Sequence, residues 1–465
     1  MTAKASTYPP QIKYIVGNEA CERFSFYGMR SILVIFMVNY LAMVQADAKA
    51  TYHLFVSACY FLPLLGAFLS DRYLGKYKTI MSLSIVYCMG HGVLALWESK
   101  TGMYWGLALI ALGSGGIKPC VSAYVGDQFT EKNKNLVQKV FEIFYFSINF
   151  GSFFSTMLIP WILPRYGASL AFGVPGILMA IATLIFWMGR GQYIDVPPSR
   201  ETGSAGFMPV LAYSLMNIGK KKKGQSFLDV AKAKYSSEDV EGVKATWGII
   251  KVFATVSVFW ALFDQHGSTW VLQAEKMDRN VFGIPFESSQ ISALNPIMVM
   301  GLIPIFSLWL YPLIGKLGFP MTPLRRMSVG MVLAALSFVS VGVFQLAIDS
   351  GQTVSVAWQF IPYLIITMSE VMISITGLEF AYTQAPRSMK STIMSFWLLT
   401  VTIGNLLTAY ISKINIFTGA SEFFFYAALM AAVSVIFIIS AARYKVRDYM
   451  GKGTASGASP AAASA

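Results

Sequence analysis

Charge is scarce in this sequence. Only 13% of its 465 residues are Asp, Glu, Lys or Arg, against about 25% in an ordinary soluble domain, which excludes a chain whose whole surface faces water. Cysteine is scarcer still. Cys21, Cys59, Cys88 and Cys120 are the only four, and all fall in hydrophobic stretches, so they read as small core residues rather than a disulfide or zinc framework. No G-x-x-x-x-G-K-[ST], H-E-x-x-H or G-x-S-x-G run occurs, which leaves nucleotide-driven and hydrolytic chemistry without a candidate group and calls for no metal or cofactor. The stretch from Met1 to Gln11 lacks the short apolar core and cleavage site of a removable signal, so the first hydrophobic segment is expected to stay attached.

What is abundant is apolar surface, at 55% of residues, with 14% aromatic. Runs long enough to cross a bilayer occur at about 13–44, 51–71, 77–98, 102–127, 136–163 and 168–189, then at 246–273, 290–315, 323–347, 355–383, 389–411 and 422–443. The expected fold is an all-α membrane protein of twelve transmembrane helices in two sets of six. Residues 1–189 form the first bundle, 190–245 a polar linker, 246–445 the second bundle and 446–465 a disordered Gly/Ala/Ser-rich tail. Within the linker, 207–218 is apolar but too short to cross and is followed at once by Lys220 to Lys223, which reads as an interfacial helix.

The net charge of +13, from 36 basic and 23 acidic residues, would suggest nucleic acid on a soluble surface. Its placement argues for a membrane instead. Of the basic residues outside the spans, only Lys49, Lys100, Arg165, Lys276, Arg279 and Lys413 fall in loops on one side; the rest lie on the other side, with the linker and both termini, which are therefore expected to be cytoplasmic. The location expected is a plasma membrane, the inner membrane of a bacterium.

The first span holds Glu19, Glu22, Arg23, Phe24, Phe26, Tyr27, Gly28 and Arg30. Positions 19, 22, 23, 26, 27 and 30 share one helix face. A charge at membrane depth costs several kcal/mol, about 2.5 to 3.5 on the mildest scale, and persists where it pairs or faces a wet cavity. A proton or substrate pathway is the reading this row favours; an internal ladder of Glu19 with Arg23 is the plainer one.

Two six-span bundles joined by a cytoplasmic linker suit a major-facilitator-type transporter, whose halves rock about a central site. The run with Gly66, Asp71, Arg72, Gly75 and Lys76 resembles the short inside-loop motif of that superfamily, in which an acid and bases clamp neighbouring helix ends. More narrowly, the first-span cluster resembles the E-x-x-E-R-F-x-Y-Y-G signature of the proton-coupled oligopeptide transporters, with Phe26 where the first tyrosine usually stands. The segment Phe144, Tyr145, Asn149, Gly151 and Ser152 resembles a second signature. Further similarity runs through Gly115 to Pro119, Phe259 to Gly267, Asn295–Pro296, Glu370 to Pro386 and Trp397 to Asn405.

A peptide zwitterion needs bases at one pole of its pocket and an acid at the other. Arg23 and Lys118 can supply the first and Glu370 the second. Tyr27, Tyr60, Tyr145, Asn149, Asn295 and Ser374 are candidates to hold backbone amides, with Phe259, Trp260 and Trp397 as an apolar wall. The resemblance further implies gate salt bridges of Arg30 with Asp264 on the outside and Lys118 with Glu370 on the inside, and proton coupling through Glu19, Glu22 and Asp264. His53 matches a family histidine, though a lone histidine near a span's outer end also reads as an interface residue. The function implied is import of di- and tripeptides with protons, driven by the proton gradient. The partners expected are the peptides, protons and membrane lipid, with no nucleic acid; a single copy suffices, and the sequence leaves the oligomeric state open. The alternatives are a carrier of another small anion such as nitrate, a peptide receptor that moves nothing and, weakest, an intramembrane enzyme.

Overall fold

A computed structural model describes residues 8–130, 133, 136–198, 206–384 and 389–444. The expected disordered tail, 446–465, lies outside the described residues, as do 199–205 of the linker and Pro386 and Arg387.

The structure is built of helices. They run α1 (Ile12–Ile35), α2 (Gln45–Leu69), α3 (Lys76–Leu96), α4 (Lys100–Asp127), α5 (Val137–Met188), α6 (Phe207–Met216), α7 (Ser237–Phe263), α8 (Thr269–Ala274), α9 (Leu294–Ile305), α10 (Tyr311–Lys316), α11 (Pro323–Asp349), α12 (Phe360–Glu370), α13 (Thr376–Gln384), α14 (Lys390–Ile414) and α15 (Ala420–Arg443). One departure from an all-helical chain is a two-residue antiparallel ribbon, in which Asn280 and Val281 pair with Pro285 and Ile284.

Ten helical segments among the described residues have the length and hydropathy to cross a membrane. Two features separate this from the twelve runs in the sequence. α1 carries Glu19, Glu22, Arg23 and Arg30, and these charges take it below the hydropathy of an ordinary span. α5 is continuous over 52 residues but breaks at Gly167, whose φ of +85° is open to glycine and strained for other residues. Several other spans change helical pitch. α12 passes into α13 through a wider π turn at Val371–Ile375, immediately after Glu370, and such turns recur at functional sites. α7 starts well before its apolar run. Ser236 caps it by accepting a hydrogen bond from the Asp239 amide at 3.1 Å, and Glu238 and Asp239 in the first turn favour its dipole. The charged stretch up to Lys244, expected in the linker, is thereby helical.

Two apolar cores hold the helices. One gathers Phe26, Leu33, Tyr87, Ile110, Phe172 and Phe186 from α1 to α5, and the other Phe253, Phe259, Trp270, Phe338, Trp397 and Tyr426 from α7 to α15. Inside the first, α2 and α4 cross so closely that a Cβ on Gly66 would lie 2.3 Å from the Gly116 carbonyl oxygen, the small-residue contact that lets membrane helices approach. On the outside, Phe146, Phe150, Phe154 and Leu158 form an exposed i+4 stripe along α5, as expected where the medium is hydrocarbon.

Between the cores runs a cleft with two ends. One holds the turns near Gly75, Gln128 and Met389; the other holds Val44, Trp97, the ribbon and Asn415. Below, these are the Gly75 end and the Val44 end.

Candidate functional site

The charged face of α1 points into the protein. Glu19, Glu22, Arg23 and Arg30 are all buried. Arg23 Nε lies 2.6 Å from Glu19 Oε1 and 3.1 Å from Glu22 Oε2, and Ser114 of α4 donates to Glu22 Oε1 at 3.5 Å. One helix thus carries a base clasped by two acids, with the Arg23 Nη1 atom lacking a hydrogen-bond partner among the described residues. Buried ions without full partners are expensive, so this arrangement is held by the surrounding packing.

Two cavities adjoin this face and share Tyr60. Toward the Gly75 end, about 220 Å³ is lined by Glu19, Arg23, Tyr60, Lys118, Phe144 and Met394 among others. Toward the Val44 end, about 80 Å³ is lined by Tyr27, Arg30, Tyr60, Trp260, Asp264, Asn295 and Glu370 among others. Bases of one half and an acid of the other thereby line cavities on either side of Tyr60. Lys118 Nζ is buried, has no hydrogen-bond partner among the described residues, and sits 4.4 Å from the Tyr60 ring centre and 5.2 Å from that of Phe26. Phe26 thus presents a ring face to the ammonium, a favourable cation–π contact. Glu370 accepts from Asn295 Nδ2 at 2.7 Å, and the same amide reaches Thr367 Oγ1 at 3.2 Å. Lys118 and Glu370 form no ion pair.

The Val44 end is closed by bonds between the two halves. Arg30 Nη2 donates to Asp264 Oδ1 at 2.5 Å while its Nε donates to the Tyr52 hydroxyl at 2.7 Å. Asn405 Nδ2 donates to the other Asp264 oxygen at 2.7 Å, and its Oδ1 lies 2.8 Å from His53 Nδ1. With that oxygen as acceptor, Nδ1 carries the proton, and Nε2 of a neutral ring is left to accept from Ser268 Oγ at 2.8 Å. His53 is fully buried, not at a wet interface. Lys49 grips both Glu422 oxygens at 2.6 and 2.7 Å, Arg165 pairs with Glu287 at 2.9 Å, and Lys413 with Asp47 at 2.6 Å. Ser57 donates to the Thr402 carbonyl at 3.2 Å. Every side-chain hydrogen bond found between the two halves among the described residues lies in the Val44 half of the cleft.

Other expected site residues stand further back. Phe259 and Trp397 line neither cavity; Trp397 packs perpendicular to Trp260 at 6.2 Å, and Phe259 stands 5.0 Å from it. Tyr145 and Asn149 are joined by the Asn149 amide to the Tyr145 carbonyl at 3.0 Å and also lie outside both linings. Ser374 sits in the π turn after Glu370 with its hydroxyl buried and, among the described residues, without a hydrogen-bond partner. In the π-helical turn that continues α2 over Ser70–Leu74, Asp71 and Arg72 are exposed, and the ion pair is instead Lys76 with Asp127 at 2.5 Å.

Sequence reasoning missed Lys49, Tyr52, Ser268, Asn405 and Glu422. Lys49 was assigned to a loop because the apolar run starts at 51, whereas α2 begins at Gln45. The available signal was its i+4 spacing to His53, which puts the two on one face.

A family model described as the POT family, PTR2, matches residues 77–418, beyond the first-span cluster. Solute carrier family 15 member 2 of Homo sapiens is 38% identical over 400 residues, 81% of this chain and 55% of its own length. Its Danio rerio counterpart is 42% identical over 72% of this chain and 49% of its own. The chain therefore spans about half the length of these animal relatives. Among solved structures, an autoinhibited POT family peptide transporter matches with a TM-score of 0.88 and 39% identity, over 96% of this chain and 99% of that one. The POT family transporter PepTSo matches with 0.88 and 41%, over 95% and 99%. By sequence and by fold, the chain belongs to the POT family.

Proposed function

We propose that this chain is a proton-coupled symporter, not an enzyme, that imports di- and tripeptides by alternating access. The observation that carries the reading is the placing of opposite charges from opposite halves in two cavities that share Tyr60: Arg23 and Lys118 line one, and Glu370 lines the other. A peptide carboxylate fits the first pole and its ammonium the second. Tyr27, Tyr60 and Asn295 face its backbone, and Trp260, backed by Phe259 and Trp397, forms the apolar wall. Tyr145, Asn149 and Ser374 complete the pocket once the Gly75 end closes. A relative in Caenorhabditis elegans named Peptide transporter 3, 39% identical over 74% of this chain, supports the substrate class.

The architecture that serves this function has twelve crossings. α1 counts as one despite its charges, and α5 counts as two, divided at Gly167. Residues 1–189 and 246–445 are the rocking bundles, and both termini and the Gly75 end are cytoplasmic in a bacterial inner membrane, with one copy sufficient. The bonds gathered at the Val44 end make this conformation inward-facing, with Arg30–Asp264 as the closed outer gate. Lys118 and Glu370 meet when the molecule turns outward. Glu19, Glu22 and Asp264, with His53 linked to Asp264 through Asn405, carry the proton. Protonating an acid of a gate pair removes its hold on the base, a local charge switch acting on a two-state element. The inward field supplies about 2.3 kcal/mol per proton per 100 mV, and no resident cofactor is needed.

The test is uptake of labelled dipeptides by the purified chain in liposomes with an alkaline, negative interior. Accumulation of several dipeptides above the external concentration is expected. Accumulation of nitrate alone, or peptide binding with no uptake, would replace this reading with an anion carrier or a receptor.

A further inference from the structure

The segment between the bundles carries a surface that transport leaves unused. α6 has two faces. Phe207, Val210 and Ser214 are buried; the Phe207 ring lies 5.3 Å edge-on from Phe396 and 6.5 Å from Trp247, so this face is engaged with α7 and the start of α14. Met208, Ala212, Leu215 and Met216 recur at i, i+4, i+7 and i+8 and are exposed. Met216 is 85% exposed. Ile218 continues the apolar edge, and Lys220, Lys221, Lys222 and Lys223 follow, all exposed.

Two acids of the linker are engaged by other bases: Asp229 and Glu241 each bond to both Lys232 and Lys244 at 2.5 to 3.1 Å. Among the described residues none of the four lysines is in an ion pair. A ten-residue helix is about 15 Å long, too short to cross a bilayer, and its buried face rests on Trp247 and Phe396, at the ends where α7 and α14 enter their apolar spans. The surface therefore lies beside a leaflet with an apolar stripe next to a cluster of free positive charge.

We propose that Phe207 to Lys223 docks anionic phospholipid of that leaflet. Met208, Leu215 and Met216 enter the acyl boundary, and the lysines meet headgroup phosphates. Charge complementarity selects the partner. An acidic soluble protein could neutralise the lysines but would leave the apolar stripe in water, whereas a bilayer with anionic headgroups satisfies both. Because the opposite face rests on Met389 and Phe396, beside Trp397 of α14, the lipid holds α6 against a helix that also borders the cleft.

The test is hydrogen exchange of residues 207–223 in the full chain, in nanodiscs of phosphatidylcholine alone or mixed with phosphatidylglycerol. Exchange across Met208 to Ile218 should slow about tenfold or more with the anionic lipid, and high salt should reverse it. The variant K220Q/K221Q/K222Q/K223Q should lose the lipid dependence while the α7 amides around Trp247, against which α6 packs, stay protected, which separates lost docking from lost folding. M216D should weaken protection in the anionic discs by itself. Equal exchange in both lipids, or protection that appears only when soluble polyglutamate is added, would overturn the proposal.

Discussion

Arg30 of α1 and Asp264 at the end of α7 meet at 2.5 Å, 234 residues apart, and join the two halves where both side chains are nearly free of water. Removing one member of such a buried pair leaves an unpaired charge, at a cost of about 3–5 kcal/mol. Asp264→Asn should therefore open the Val44 end. In a background bearing Thr156→Cys, at the lining of the smaller cavity, a polar thiol reagent added on that side should label at least ~10-fold faster. An unchanged labelling rate would show that the pair does not hold this end shut.

Glu22 tests the division of roles on α1. It is buried against Arg23 and Ser114, and Glu22→Gln keeps its shape while removing the group that can release a proton. Uptake against a gradient should disappear while downhill counterflow of labelled dipeptide persists. Equal loss of both would make Glu22 a structural residue.

Lys49 and Glu422 make a prediction about stability. The pair is bidentate and buried between α2 and α15. Glu422→Gln alone should destabilise the chain, since Lys49 is left buried without its countercharge, whereas Lys49→Met with Glu422→Met should recover most of the loss. Thermal unfolding in detergent reads the difference; a double variant no better than the single would mean that the charges themselves are required.

The linker should respond to acid. The hydrogen bond from Lys244 holds the Asp229 carboxyl down at about 2, below its ordinary 3.8. A depressed carboxyl stabilises the fold above its unfolded value, and that contribution fades as pH falls through the folded one. Protease resistance of residues 226–236 should be flat from neutral pH to about 4 and fall below it; Asp229→Asn should shrink the fall to the part contributed by Glu241, which the same two lysines hold down. A decline beginning near neutral pH would implicate another group.

How much of this was legible in the sequence follows from what each level of structure depends on. The hydrophobic runs gave the helices, because length and hydropathy alone decide which segments can leave water. The burial of Glu19, Glu22 and Arg23 was readable as well, since their spacing puts them on one helix face. The partners were not. Tyr52, Asn405 and Ser268 around His53 and Asp264, and Glu422 opposite Lys49, lie up to 373 residues away in sequence, and helical periodicity says which face is polar but not what it meets. Phe259 and Trp397 show the converse: aromatic and apolar in any reading, they line neither cavity and pack against Trp260, which does. The wide turn after Glu370 has no sequence signature, since any apolar stretch can take it.

Peptide and proton are expected to move together. This coupling is tested by loading liposomes that contain the purified chain with a pH-sensitive dye, clamping the membrane potential negative inside, and adding dipeptide outside. Peptide-dependent acidification of the interior, absent with Glu22→Gln, is the predicted result. Dipeptide entry without any acidification would contradict it.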